Sequence, residues 1–129
     1  MIVVTGAAGF IGSYFVGKLN RAGFANLVLV DRYDDPAKER NFQFKEYASL
    51  VDREDFFEWF RKNSGQVEMV FHLGARTDTI GQEPESYETL NLRYSQNLWK
   101  ACTDYRVPLV YASSAATYGN GEQGFSDAH

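Results

Sequence analysis

The chain has 129 residues, 44% of them hydrophobic and 23% charged, which is the content of one globular domain and not of a disordered chain. Seventeen acids against thirteen lysines and arginines leave a net charge of -4, without the clustered basic surface that nucleic-acid phosphates require. The apolar runs fall far short of the roughly 18 residues of a spanning helix, no basic segment precedes an apolar one at the N-terminus, and the single cysteine, Cys102, lacks a disulfide or metal-spaced partner, so a reducing, cytoplasmic setting without a metal is expected.

In chain order, Ile2 to Thr5 (IVVT) reads as a short buried strand. Ile11, Phe15, Leu19 and Ala22 then follow a 3.6-residue period, and Gly23 marks the stop of that helix. A second strand spans Leu27 to Val30 (LVLV) and runs into Asp31. Gln43 to Tyr47 is expected as a further short strand, and a helix begins near Asp52, capped by it, with Phe56, Phe57 and Phe60 facing a sheet. Met69 to His72 (MVFH) is the next strand. Glu85 to Tyr105 forms a long helix with the stripe Tyr87, Leu90, Tyr94, Leu98, Ala101 and Tyr105, closed by Pro108. Leu109 to Ser113 (LVYAS) is the last strand. No repeat or linker interrupts the alternation, which predicts an α/β fold: a doubly wound parallel sheet of Rossmann type with right-handed crossovers and ligands at the carboxyl ends of its strands.

The segment TGAAGFIG, Thr5 to Gly12, places three glycines at every third position where the first strand ends. A strand feeding such a turn and then a helix presents unpaired backbone N–H groups and a positive dipole end to a pyrophosphate. Gly6 permits the tight turn, Gly9 lets the backbone approach phosphate, and Gly12 lets the helix pack closely. The spacing has one residue more between its first two glycines than G-x-G-x-x-G. Asp31 ends the second strand nineteen positions after Gly12, where an acid can bond a ribose hydroxyl. Glycines that merely turn the chain would leave Asp31 unexplained.

With TGAAGFIG, the stretches FHLGA (Phe71 to Ala75), NLRYSQNL (Asn91 to Leu98) and YASSAATYG (Tyr111 to Gly119) resemble, in order, the motifs of the extended short-chain dehydrogenase/reductases. Within that superfamily, ASSAATYG, DDPAK (Asp34 to Lys38) and LGARTDT (Leu73 to Thr79) are most similar to the ADP-glyceromanno-heptose 6-epimerase family. The resemblance covers essentially the whole chain. It implies that Phe10 and Ile11 give backbone contacts to pyrophosphate, that Leu73, Gly74 and Ala75 line the adenosine-ribose side of the cofactor, and that Asn91 is the family's helical asparagine. On the residues alone, Asn91 reads as a polar group beside the helix stripe, solvated or satisfied locally. Asp31 favours a free 2'-hydroxyl and hence NAD, whereas Arg32 beside it can pair with a 2'-phosphate. Lys38 and Arg53 match basic positions that the family uses around that phosphate, and three cations tip the expectation toward NADP over NAD; ordinary surface charge is the competing reading.

Ser114 follows a strand's carboxyl end and matches the family's catalytic serine or threonine, whose hydroxyl can bond the oxygen that loses its proton during hydride transfer. Tyr118 matches a family position but is not the catalytic tyrosine, and packing under the loop is an equal account of it. His72 reads as a satisfied interior histidine. The family's Tyr-x-x-x-Lys pair, whose tyrosine acts as base, should follow the serine. Here that spacing occurs only at Tyr14 and Lys18, in the first helix, and is accidental. The expectation is therefore an amino-terminal, partial dinucleotide-binding domain, truncated after the strand at 109–113 and inactive alone. Its parent would be an epimerase that takes a hydride from C6 of an ADP-heptose, a nucleotide-sugar precursor of lipopolysaccharide, and returns it to the other face. Another nucleotide-sugar epimerase or dehydratase, or a non-catalytic dinucleotide-binding module, are the alternatives; a homo-oligomer is compatible with either.

Overall fold

A computed structural model describes residues 1–74, 84–113, 119–122 and 124–126, with 84–90 in backbone only. Five strands, β1 (Ile2–Thr5), β2 (Leu27–Asp31), β3 (Ser49–Asp52), β4 (Met69–His72) and β5 (Leu109–Tyr111), alternate with the helices α1 (Phe10–Arg21), α2 (Glu39–Phe42), α3 (Phe56–Asn63) and α4 (Pro84–Tyr105). All neighbouring strands are parallel, in the order β3-β2-β1-β4-β5. β1 is central and pairs on both sides, Val4 lying opposite Leu29 of β2 and Phe71 of β4. That position explains why its residues are apolar in succession: Val3 and Val4 point to opposite faces, and both faces are covered.

On one face Val3, Val28, Val30 and Val70 pack with Phe56 and Phe60 of α3 and Leu98 of α4. The rings of Phe56 and Phe60 stack at 5.3 Å, so one turn of α3 supplies much of that core. On the other face Val4, Leu27 and Leu29 pack against Ala7 and Val16 beneath α1, with Phe15 edge-on to Phe71 at 4.7 Å. Gly23, at φ +94°, ends α1 as expected, and the N–H of Phe24 closes the turn onto the Leu19 carbonyl.

Three expected boundaries move. Gln43 to Tyr47 is not a strand: α2 occupies 39–42, the Lys45 N–H turns back to the Phe42 carbonyl, and Phe44 is exposed. The strand lies later, at Ser49–Asp52, where Val51 can face the core while backbone bonds go to β2. Asp52 accordingly ends β3 and does not cap a helix; its carboxylate accepts from the Glu54 N–H, and α3 starts at Phe56. β5 closes at Tyr111, earlier than Ser113, since its last ladder partner in β4 is His72.

Candidate functional site

The carboxyl ends of β1, β2 and β4 open into one cleft of about 480 Å³, within the range of small-ligand and cofactor sites. Gly6, Gly9, Phe10, Ile11 and Gly12 line it from the turn after β1, Asp31, Arg32 and Lys38 from the end of β2 and the segment beyond, Arg53 from the end of β3, and Leu73 and Gly74 from the end of β4. Eleven of the residues expected from sequence thus meet in one place. Asn91 sits half-buried on α4 and is not among the lining residues, whereas Tyr94, one turn further along α4, is. Ala75, Ser114 and Tyr118 lie outside the described residues.

Each turn glycine answers a different constraint. Gly6 adopts φ +68°, and a Cβ there would lie 2.6 Å from the Cα of Gly74. The loops after β1 and β4 therefore touch backbone to backbone, which only a glycine pair allows. A Cβ on Gly12 would be driven into the Gly6 carbonyl. Gly9 is less crowded, with only the Gly6 carbonyl oxygen within reach at 3.3 Å. It caps α1 without a side-chain hydrogen bond, and no acidic residue stands in the first turn. The leading N–H groups of α1, which no helix can satisfy internally, are left to face an anion.

Asp31 is more heavily engaged than a ribose-reading acid needs to be. One carboxylate oxygen accepts from the Ala8 N–H at 2.9 Å; the other accepts from the Arg32 N–H at 2.7 Å and from Lys38 Nζ at 3.0 Å. Arg32 pairs with Asp34 at 3.5 Å, and the guanidinium of Arg53 lies 4.3 Å over the ring of Tyr94. Tyr94 returns the contact, its hydroxyl donating to the Arg53 carbonyl at 3.3 Å, and burial raises its pKa.

His72 was legible as a satisfied interior histidine, but its partners were not. Its Nδ1 is 2.6 Å from Thr5 Oγ1 and its Nε2 is 2.9 Å from Ser95 Oγ, so the ring joins β1, β4 and α4. The Gly74 N–H donates to the same Thr5 oxygen at 3.3 Å. Burial first, and the Arg53 charge second, push the imidazole down to a pKa of about 4, so it is neutral near neutral pH. Among the described residues no group of three or more His, Cys, Asp or Glu side chains could hold a metal, and no helix is long and apolar enough to cross a membrane.

A parallel sheet of this order, with a glycine turn after its central strand and an acid ending the next, is a Rossmann-type α/β fold. The model of the NAD dependent epimerase/dehydratase family matches residues 2–129, and the chain belongs to that family. It is 39% identical, over 98% of its length and 39% of the relative's, to ADP-L-glycero-D-manno-heptose-6-epimerase of Fusobacterium nucleatum. The structure of the Helicobacter pylori protein of the same name superposes with a TM-score of 0.76 at 24% identity, covering 98% of this chain and 43% of that one. UDP-glucuronic acid 4-epimerase from Bacillus cereus in complex with NAD superposes at 0.70, with 25% identity over 92% of this chain and 41% of that one. The chain spans 39% to 41% of the length of the curated relatives it matches.

Proposed function

We propose that these residues are the dinucleotide-binding part of a nucleotide-sugar epimerase acting on an ADP-heptose, and that the cleft takes the nicotinamide dinucleotide. The observation that carries this reading is the convergence of the glycine turn, Asp31 and the Leu73–Gly74 loop on one cleft, in a chain 39% identical to a heptose 6-epimerase over nearly its whole length. Gly9, which lines the cleft without a side chain, and the uncapped first turn of α1 fit a pyrophosphate, and Asp31 fits a ribose hydroxyl. When bound, the dinucleotide supplies a hydride acceptor and donor, so that a carbinol centre can be oxidised, turned and reduced with no net redox change. The chain's own contribution is to bind and orient: backbone N–H groups of Phe10, Ile11 and Gly12 would meet phosphate, and Ser114, by its match to the family's serine or threonine, would supply a hydroxyl that bonds the oxygen at C6 of the sugar.

The family's name and the NAD in the Bacillus cereus complex support NAD as the cofactor. A specific observation favours NADP as a second reading. Lys38 compensates Asp31 and Arg32 pairs with Asp34, and Arg53 lines the same cleft, so a 2'-phosphate there would compete with two carboxylates for three cations. The test is turnover of ADP-heptose by the full-length protein with NAD or NADP, followed by NMR of the C6 configuration, with Ser114→Ala as the slowed control. Conversion of a UDP-sugar with ADP-heptose untouched would place the protein elsewhere in the family. Dinucleotide binding without any turnover would make it a binding module.

A further inference from the structure

The turn after β1 has four residues from Gly6 to Gly9, one more than the G-x-G-x-x-G spacing, and every N–H in it is engaged. Gly6 and Ala7 donate to the Val30 carbonyl at 2.8 and 3.3 Å, Gly9 donates to the Gly6 carbonyl at 3.0 Å, and Ala8 donates to Asp31. Ala8 is buried, and its carbonyl accepts from Nδ2 of Asn41 at 2.7 Å. Asn41 lies on α2, thirty-three positions away. Phe42, next to it, holds α2 in place by packing into the core beneath α1, edge-on to Tyr33 at 5.4 Å and to Tyr47 at 6.3 Å. Lys38, just before the same helix, binds the carboxylate that takes the Ala8 N–H. The short segment from Lys38 to Phe42 therefore secures the Ala8 residue from both sides, its carbonyl through Asn41 and its N–H through Asp31.

We infer that Asn41 is a positioning residue for the pyrophosphate subsite. It touches no ligand itself; its bond to the Ala8 carbonyl and the Gly9 N–H bond to the Gly6 carbonyl together hold the plane of the Ala8–Gly9 peptide, which leads into the N–H groups of Phe10 and Ile11. A longer turn has one more peptide to orient, and without the Asn41 donor that peptide is held on one side only and can tilt to bring its carbonyl to water. The inference rests on the dinucleotide reading of the cleft.

The experiment compares ADP-ribose, which carries the pyrophosphate, with adenosine, which does not, by titration calorimetry on the full-length protein. Asn41→Leu should bind ADP-ribose roughly tenfold more weakly, the worth of one hydrogen bond, leave adenosine within about twofold, and lower the thermal midpoint of the unliganded protein by no more than a few degrees. Asn41→Ser, neutral and too short to reach the Ala8 carbonyl, should do the same, and serves if the leucine variant does not fold. Asn41→Gln, with its donor on a longer stem, should recover part of the loss. Equal weakening of both ligands, or a lowered midpoint with unchanged affinity, would mean that Asn41 only fastens α2. Unchanged ADP-ribose affinity in both variants, where the wild type binds it, overturns this inference alone; a wild type that does not bind ADP-ribose removes the dinucleotide reading and this inference with it.

Discussion

Thr5 Oγ1 and His72 Nδ1 approach to 2.6 Å across the β1–β4 pair, one register step before the two loops that meet at Gly6 and Gly74. The imidazole is neutral in the fold, held down to about 4 against an ordinary 6.5, chiefly by burial. A histidine in the unfolded chain takes up a proton as pH falls below about 6.5, while the folded one refuses it until about pH 4. Stability from this group is thus fully present above the unfolded value and is lost as pH falls through that window. Urea unfolding should show a loss of about 2 kcal/mol between pH 7 and 5 attributable to His72, at about 1.4 kcal/mol per pK unit. In His72→Asn that part of the slope should vanish; an unaltered slope would assign the loss to carboxylates.

The glycine turn yields a contrast between two of its members. Gly12→Ala drives a methyl into the Gly6 carbonyl, and backbone cannot step aside cheaply. It should destabilise the fold by about 2 kcal/mol or more, within the range of overpacking. At Gly9 a Cβ would press only on the Gly6 carbonyl oxygen, at 3.3 Å, so Gly9→Val should cost less stability than Gly12→Ala and lose the dinucleotide. Calorimetric titration beside thermal unfolding separates the two; unchanged affinity in Gly9→Val would overturn the phosphate-turn reading.

What the sequence discloses here is what lies close along the chain. Gly12 could be assigned because its crowding, against the Gly6 carbonyl, is internal to eight residues, Gly6 because its positive φ belongs to the turn itself, and Asp31 because it ends a strand whose distance from the turn is a fixed feature of the βαβ unit. Gly74 could be matched but not explained, since its need for no side chain comes from Gly6, sixty-eight positions earlier. Asn41 carries no local signal at all: its role exists only because Phe42 seats α2 beside the turn. The strand expected at Gln43 to Tyr47 failed for a related reason. The stretch has few apolar residues to hold a strand; α2 ends at Phe42, which packs into the core, and the chain then turns, the Lys45 N–H bonding the Phe42 carbonyl and Phe44 facing outward.

At the 2' end of the cleft, the double variant Arg32→Ala, Lys38→Ala distinguishes the cofactors. If the cations receive a 2'-phosphate, the loss of two charge-assisted contacts should weaken NADP about 10²- to 10⁴-fold, at roughly 1.5 to 3 kcal/mol for each hydrogen bond to a charged group. NAD should change little, or gain slightly as Asp31 is released from Lys38 to bond the ribose. Equal losses for both dinucleotides would mean that Arg32 and Lys38 serve only their present partners, Asp34 and Asp31.

The last prediction concerns these 129 residues expressed alone: they should not epimerise ADP-heptose, and they should bind a hydrophobic dye. Tyr14 and Lys18 have the Tyr-x-x-x-Lys spacing, and Lys18 Nζ lies 5.5 Å over the Tyr14 ring. But both sit on α1, and neither lines the cleft, so this tyrosine cannot take a proton from a sugar hydroxyl held there. General acid–base catalysis typically contributes about 10²- to 10⁴-fold, and the Ser114 hydroxyl alone does not replace it. The physical half of the prediction comes from β5. Val110 and Tyr111 on this strand, and Trp99 of α4 edge-on to Tyr111 at 5.8 Å, are all exposed. A few hundred Å² of apolar surface left in water forgoes several kcal/mol at roughly 25 cal/mol per Å², a large share of the stability of a small domain. Dye fluorescence, chemical denaturation and an NMR assay on the 129-residue protein test both halves. A cooperative, dye-free monomer would overturn the physical half, and turnover of ADP-heptose would overturn the chemical one.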